Sequence, residues 1–156
     1  MSEGRRRILV TEFMDEAALA TLADFAVDYR PDLHADRPAL AAAVATADAL
    51  IVRNRTQVDA ALIEAAPRLR AVGRLGVGLD NIDVATCEAR GIAVLPATGA
   101  NALSVAEYVI AAAMALVRGA FLSNADMLAG RWPRAALGGG GELAGRTFFF
   151  DDTATT

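Results

Sequence analysis

The chain has 156 residues, 54% of them apolar and 22% charged, with a net charge of -4. That length can bury one core, and the composition excludes a disordered chain. The negative balance gives no electrostatic reason for a nucleic-acid or anionic-membrane partner, and the absence of Lys excludes Schiff-base and Walker-lysine chemistry.

Cys87 is the only cysteine, so an internal disulfide is excluded and a reducing compartment is the simplest reading. The N-terminus lacks an apolar export segment, and no run of about 18 apolar residues occurs, so a cytoplasmic protein without a membrane partner is expected. Arg5, Arg6 and Arg7 form a small basic cluster, read as solvated.

In chain order, residues 7–11 (RILVT) form a strand, and Asp15 is placed to cap an Ala- and Leu-rich helix. Residues 25–29 (FAVDY) form a second strand, and Pro38 suits the first turn of a helix reaching Thr46. Ala49 to Val52 (ALIV) is a continuous apolar run, as in a strand covered on both faces. A helix over 58–66 stops at Pro67, a strand follows over 69–72, a helix over 81–90 is closed by Gly91, and a fifth strand covers 92–95. Five strands with crossover helices predict an α/β, flavodoxin-like, open parallel five-stranded sheet with flanking helices.

The pattern changes after Pro96. Residues 104–118 read as a long helix with Ser104 and Glu107 spaced as a capping box, and 121–129 as a second linking helix stopped by Gly130. The long helix is apolar nearly all round, which calls for burial against something large. A glycine-rich loop over 137–141 precedes a further strand expected over 143–150.

The segment GRLGVGLDNID places Gly76 and Gly78 after the fourth strand. A dinucleotide fingerprint needs a third glycine, where Asn81 stands, and follows the first strand of its sheet. On spacing alone the segment is a structural turn or a nest of bare N–H groups suited to a carboxylate. The loops after the third and fifth strands, with Arg53, Asn54 and Asn101, should open on the same sheet edge, because carboxyl ends of parallel strands point one way.

From Ala49 to Thr147 the residues resemble the D-isomer-specific 2-hydroxyacid dehydrogenases, particularly the phosphoglycerate dehydrogenase-like branch. The likeness rests on ALIVRNRTQVDAALIEAAPRLRAVGRLGVGLDNIDVATCEARGIAVLPATGANALSVAEYVIAAAMALVR, the GRW at 130–132 and the GGELAGRT at 140–147. It implies hydride transfer between NAD, or NADP, and a small 2-hydroxy or 2-oxo acid of the 3-phosphoglycerate type, in a homodimer or higher oligomer. Arg53, Asn54, Gly76, Val77, Gly78 and Asn101 match substrate-binding positions, and Val77 and Val105 match positions near the nicotinamide. The family's catalytic histidine, glutamate and arginine fall later than this chain reaches, so no catalytic residue is assigned within it. His34, the only histidine, reads as a loop residue, Glu107 as a capping residue and Cys87 as packing.

The resemblance divides the chain into a substrate-binding domain over 1–100, interdomain helices and a glycine-rich loop over 101–142, and an aborted first strand of a nucleotide-binding Rossmann domain over 143–150. Residues 151–156 (DDTATT) read as a non-native tail, and Phe148, Phe149 and Phe150 as an exposed, aggregation-prone half-strand. A truncated and inactive chain is the expectation, against the alternative of a standalone small-acid-binding or regulatory module.

Overall fold

The computed structural model describes residues 5–147. The chain divides into two compact units, Met1–Ala100 and Asn101–Thr156.

In the first unit, β1 (Arg7–Val10), β2 (Ala26–Tyr29), β3 (Ala49–Val52), β4 (Ala71–Arg74) and β5 (Ala93–Pro96) form one parallel sheet in the order β2-β1-β3-β4-β5. This is the flavodoxin-like winding, in which the chain reverses direction across the sheet between β1 and β3. Leu9, Leu50 and Val72 lie fully buried in the three central strands. Ala49 and Ile51 are only half-buried, so β3 is covered less evenly than its apolar run predicts.

Helices α1 (Glu16–Ala20), α2 (Arg37–Val44), α3 (Ala60–Glu64) and α4 (Val84–Ala89) each start behind an aspartate whose carboxylate accepts a backbone N–H: Asp15, Asp36, Asp59 and Asp83. Each such cap contributes about 1 kcal/mol. Leu40, Val44, Leu62, Ile63 and Cys87 carry the buried sides of α2, α3 and α4 into the core, whereas α1 has no buried residue.

Several boundaries differ from those the sequence predicts. The strand expected over 69–72 is β4, shifted two residues on: Leu69 N–H closes a turn onto Ala66, and Arg70 N–H donates to Asp48 before pairing with β3 begins at Ala71. The helix expected over 58–66 is α3, because Val58 is held in a lone bridge to Ile82, and the one expected over 81–90 is α4, because Asp83 is the cap.

In the second unit, α5 (Ala102–Arg118) has 17 residues and ends at Gly119, whose φ of 66° is the left-handed closing conformation. It begins two residues before the expected start, so Ser104 lies inside the helix and Asn101 is the cap. The capping box is therefore not formed. Leu103, Tyr108, Ile110, Met114 and Leu116 along α5 are exposed. The second long helix is replaced by a 3-10 turn (Ala120–Leu122) and α6 (Asn124–Leu128), interrupted at Ser123, and α7 (Arg134–Leu137) precedes the glycine-rich loop. Of the strand expected over 143–150, the described part is a turn in which Arg146 N–H donates to Leu143. The rest, with the 151–156 tail and the three phenylalanines, lies outside the described residues.

Candidate functional site

The carboxyl ends of β1, β3 and β4 place three loops side by side. At the switch point between β1 and β3, where open α/β sheets bind ligands, a cleft of about 440 Å³ is lined by Glu12, Phe13, Pro31, Asp32, His34, Arg53, Asn54 and Arg55.

Arg53, Asn54 and Arg55 project from a loop without regular structure, and all three are exposed. Their backbone, by contrast, is anchored from below. Glu12 Oε1 accepts the N–H groups of Arg53 at 2.8 Å and Thr56 at 3.0 Å, and Oε2 accepts that of Arg55 at 3.1 Å. Asn81 Nδ2 donates to the carbonyls of Arg53 at 3.1 Å and Thr56 at 2.8 Å. The Thr11 and Thr56 hydroxyls share a buried hydrogen bond of 2.8 Å. Thr11, Glu12, Thr56 and Asn81 are the buried polar side chains among the described residues, and all four meet under this one loop. Burial opposes ionisation of Glu12, but the N–H donors of Thr56, Arg53 and Arg55 outweigh it and hold the carboxyl below its ordinary range.

The neighbouring loop after β4 holds Gly76, Val77 and Gly78. Leu75 N–H donates to Val52, the last residue of β3, at 2.8 Å, which ties this loop to the one bearing Arg53. Of the N–H groups expected to be bare, that of Gly76 is engaged by the Arg74 carbonyl at 2.8 Å. Those of Val77 and Gly78 have no hydrogen bond among the described residues and can receive one carboxylate. A Cβ on Gly76 would overlap the Arg74 guanidinium, which folds back against this turn and donates from Nη1 to the Leu75 carbonyl at 3.2 Å.

Arg53, Asn54, Gly76, Val77 and Gly78 thus follow neighbouring strands on one sheet edge, and of these Arg53 and Asn54 line the cleft. Asn101 and Val105 lie in the second unit: Asn101 is exposed with no side-chain cap bond, and its carbonyl accepts the N–H of half-buried Val105 at 2.9 Å. Glu12 and His34 were not assigned to the site by sequence. His34 follows β2 on a 3-10 turn (Leu33–Ala35), with Nδ1 3.2 Å from the Pro31 carbonyl, and lines the cleft. The one available signal for both was their place just after a strand's carboxyl end.

The N–H groups from Val77 onward offer an acidic group hydrogen-bond donors, and the first turn of α4 already receives the Asp83 carboxylate at Thr86. Val77, between the two glycines, is an exposed apolar side chain. Among the described residues no group of acidic, His and Cys side chains could hold a metal ion, and no helix is long and apolar enough to cross a membrane. Cys87 is fully buried, and burial together with the nearby Asp83 charge pushes its thiol up, away from nucleophilic use.

The chain is 57% identical over 133 residues to (S)-sulfolactate dehydrogenase of Chromohalobacter salexigens, covering 85% of this chain and 43% of that protein. It is 40% identical over 140 residues to D-3-phosphoglycerate dehydrogenase of Mycobacterium leprae, covering 90% of this chain and 26% of that one. Among solved structures, the NADPH-dependent glyoxylate/hydroxypyruvate reductase of Sinorhizobium meliloti in complex with citrate superposes with a TM-score of 0.70 at 28% identity, over 94% of this chain and 45% of that one. The chain spans less than half the length of these relatives. Its residues 8–154 match the family described as D-isomer specific 2-hydroxyacid dehydrogenase, catalytic domain, and it is a member of that family.

Proposed function

We propose that this chain is the substrate-binding part of an NAD- or NADP-linked oxidoreductase that transfers a hydride between the cofactor and a D-2-hydroxy acid, and that it is inactive alone. In this reading Val77 and Gly78 N–H groups hold the substrate carboxylate, Arg53 and Asn54 hold the rest of the acid, and Asn101 contributes an amide. Gly76 keeps the turn open for that approach, and Val77 and Val105 pack toward the nicotinamide. The domains follow the same division, with substrate binding over 1–100 and a linking segment over 101–142. The whole protein works in the cytoplasm as a homodimer or larger assembly.

The observation that carries the reading is that the Val77 and Gly78 N–H groups are free, in the loop next to one whose Arg53 and Arg55 guanidinium groups have no ion-pair partner among the described residues. Such a site suits an acid with a second anionic group, as in sulfolactate and 3-phosphoglycerate, each with an acidic substituent on C3. The descriptor S in sulfolactate agrees with a D-acid site: the sulfur-bearing carbon outranks the carboxyl group, so S there denotes the arrangement called D in lactate.

The test replaces the matching part of the Chromohalobacter salexigens enzyme with this chain and assays sulfolactate and 3-phosphoglycerate oxidation. The chimera is expected to turn over one of them, with KM raised at least about tenfold by Arg53→Ala. The chain alone is expected to be inactive. Turnover by the chain alone would overturn the inactive assignment, and a chimera indifferent to Arg53 would overturn the site.

A further inference from the structure

We infer that Glu12 is a positioning residue: its carboxylate fixes the backbone of the 53–56 loop so that Arg53 and Asn54 meet an anionic ligand already in their binding arrangement. The inference rests on the reading of those two residues as ligands to the substrate acid.

A carboxylate beside an anion site has the wrong sign for it, and burying a charge is costly. Glu12 is 4% exposed and nevertheless sits in the lining of the cleft. Its charge is consumed by three backbone N–H groups, those of Arg53, Arg55 and Thr56, 41 to 44 residues away in sequence. Charge-assisted bonds of this kind fix a backbone more firmly than neutral ones.

The loop needs such fixing. It contributes no residue to a strand or helix, and its side chains at 53–55 are exposed, so Thr56, buried against Thr11, is the one side chain of the loop that packs. Asn81 holds its carbonyls and Glu12 its N–H groups, which leaves the arginine side chains as the movable part. A ligand arriving at such a loop loses little affinity to ordering the backbone.

The experiment measures binding of (S)-sulfolactate and 3-phosphoglycerate to the chain, together with amide exchange over 53–56, in the unsubstituted protein and in E12Q, E12A and L40A. Leu40 lies in the core on α2 and touches no part of the loop's hydrogen bonding, so L40A controls for lost stability. The expected result is a graded loss, about tenfold in affinity for E12Q and more for E12A, with faster exchange at Arg53, Arg55 and Thr56. L40A is expected to melt earlier and bind as the unsubstituted chain does. Affinity and exchange unchanged in E12Q would overturn the role of Glu12 alone, as would an affinity that merely tracks stability through L40A. Failure of the unsubstituted chain to bind either acid would overturn the substrate reading and this inference with it.

Discussion

Asn81 Nδ2 donates to the Thr56 carbonyl at 2.8 Å, and this amide fastens the segment before α4 to the loop after β3. Asn81→Ala leaves two carbonyls, those of Arg53 and Thr56, without their donor, and is expected to cost about 1–3 kcal/mol in urea unfolding. Asn81→Asp should cost more at neutral pH, because a carboxylate would face those two carbonyl oxygens. An equal or smaller loss for the aspartate would show that the donor does not matter.

Acid should weaken the first unit in a defined direction. Asp28 is held low by the Arg30 guanidinium, Asp48 by the Arg7 N–H, Asp59 by the Leu62 N–H and Asp83 by the Thr86 hydroxyl, while the donors to Glu12 outweigh its burial. Lowered carboxyl groups contribute stability that is fully present above their unfolded values and lost as pH falls through the folded ones. Urea midpoints should therefore drop below about pH 4.5 and continue to fall toward pH 3. Glu12→Gln should be less stable than the unsubstituted chain at pH 7, and the difference should narrow on acidification.

Gly76 has a φ of 157° and no room for a Cβ against Arg74. The guanidinium is the movable partner, so Gly76→Ala should fold with Arg74 displaced outward and a loss of about 1–3 kcal/mol. A melting curve and a crystal structure of the variant check both parts.

The sheet's centre and edge should respond differently. Leu50 is fully buried in β3, and Leu50→Ala is expected to cost about 2–5 kcal/mol. Leu95 on the edge strand β5 is 59% exposed, and Leu95→Ala should stay within about 0.5 kcal/mol. Chemical denaturation of the two variants side by side decides this.

Cys87 should resist alkylation. Its thiol is buried and held protonated, so iodoacetamide labelling at mildly alkaline pH should follow global unfolding and accelerate in urea. Rapid labelling of the folded chain would contradict the packing role.

The alternation of apolar strands and capped helices was legible in the sequence because each signal is local. Asp15 and its helix, or Ala49 to Val52, need no knowledge of distant residues. The start of β4 was not legible, since Leu69 and Arg70 are as strand-like as Ala71, and only pairing with Ala49 decides where the ladder begins. At α5 the Ser104–Glu107 spacing was misleading because the helix opens earlier, at Ala102. Arg53, Asn54 and the glycine loop could be named from their place after strands and from the family resemblance. Glu12 could not, because its partners are 41 or more residues distant and are backbone groups, which leave no mark on residue type.

The four buried polar side chains under the 53–56 loop tie its opening to the seam between β1 and β3. Surface loops ordinarily breathe on their own, at a small fraction of the global unfolding free energy. This one has no cheap route to opening: releasing its backbone strands a carboxylate, an amide and two hydroxyls in the protein interior. Its slowest-exchanging amides should accordingly share the unfolding rate of the central strands, making a segment that looks like surface a kinetic part of the core.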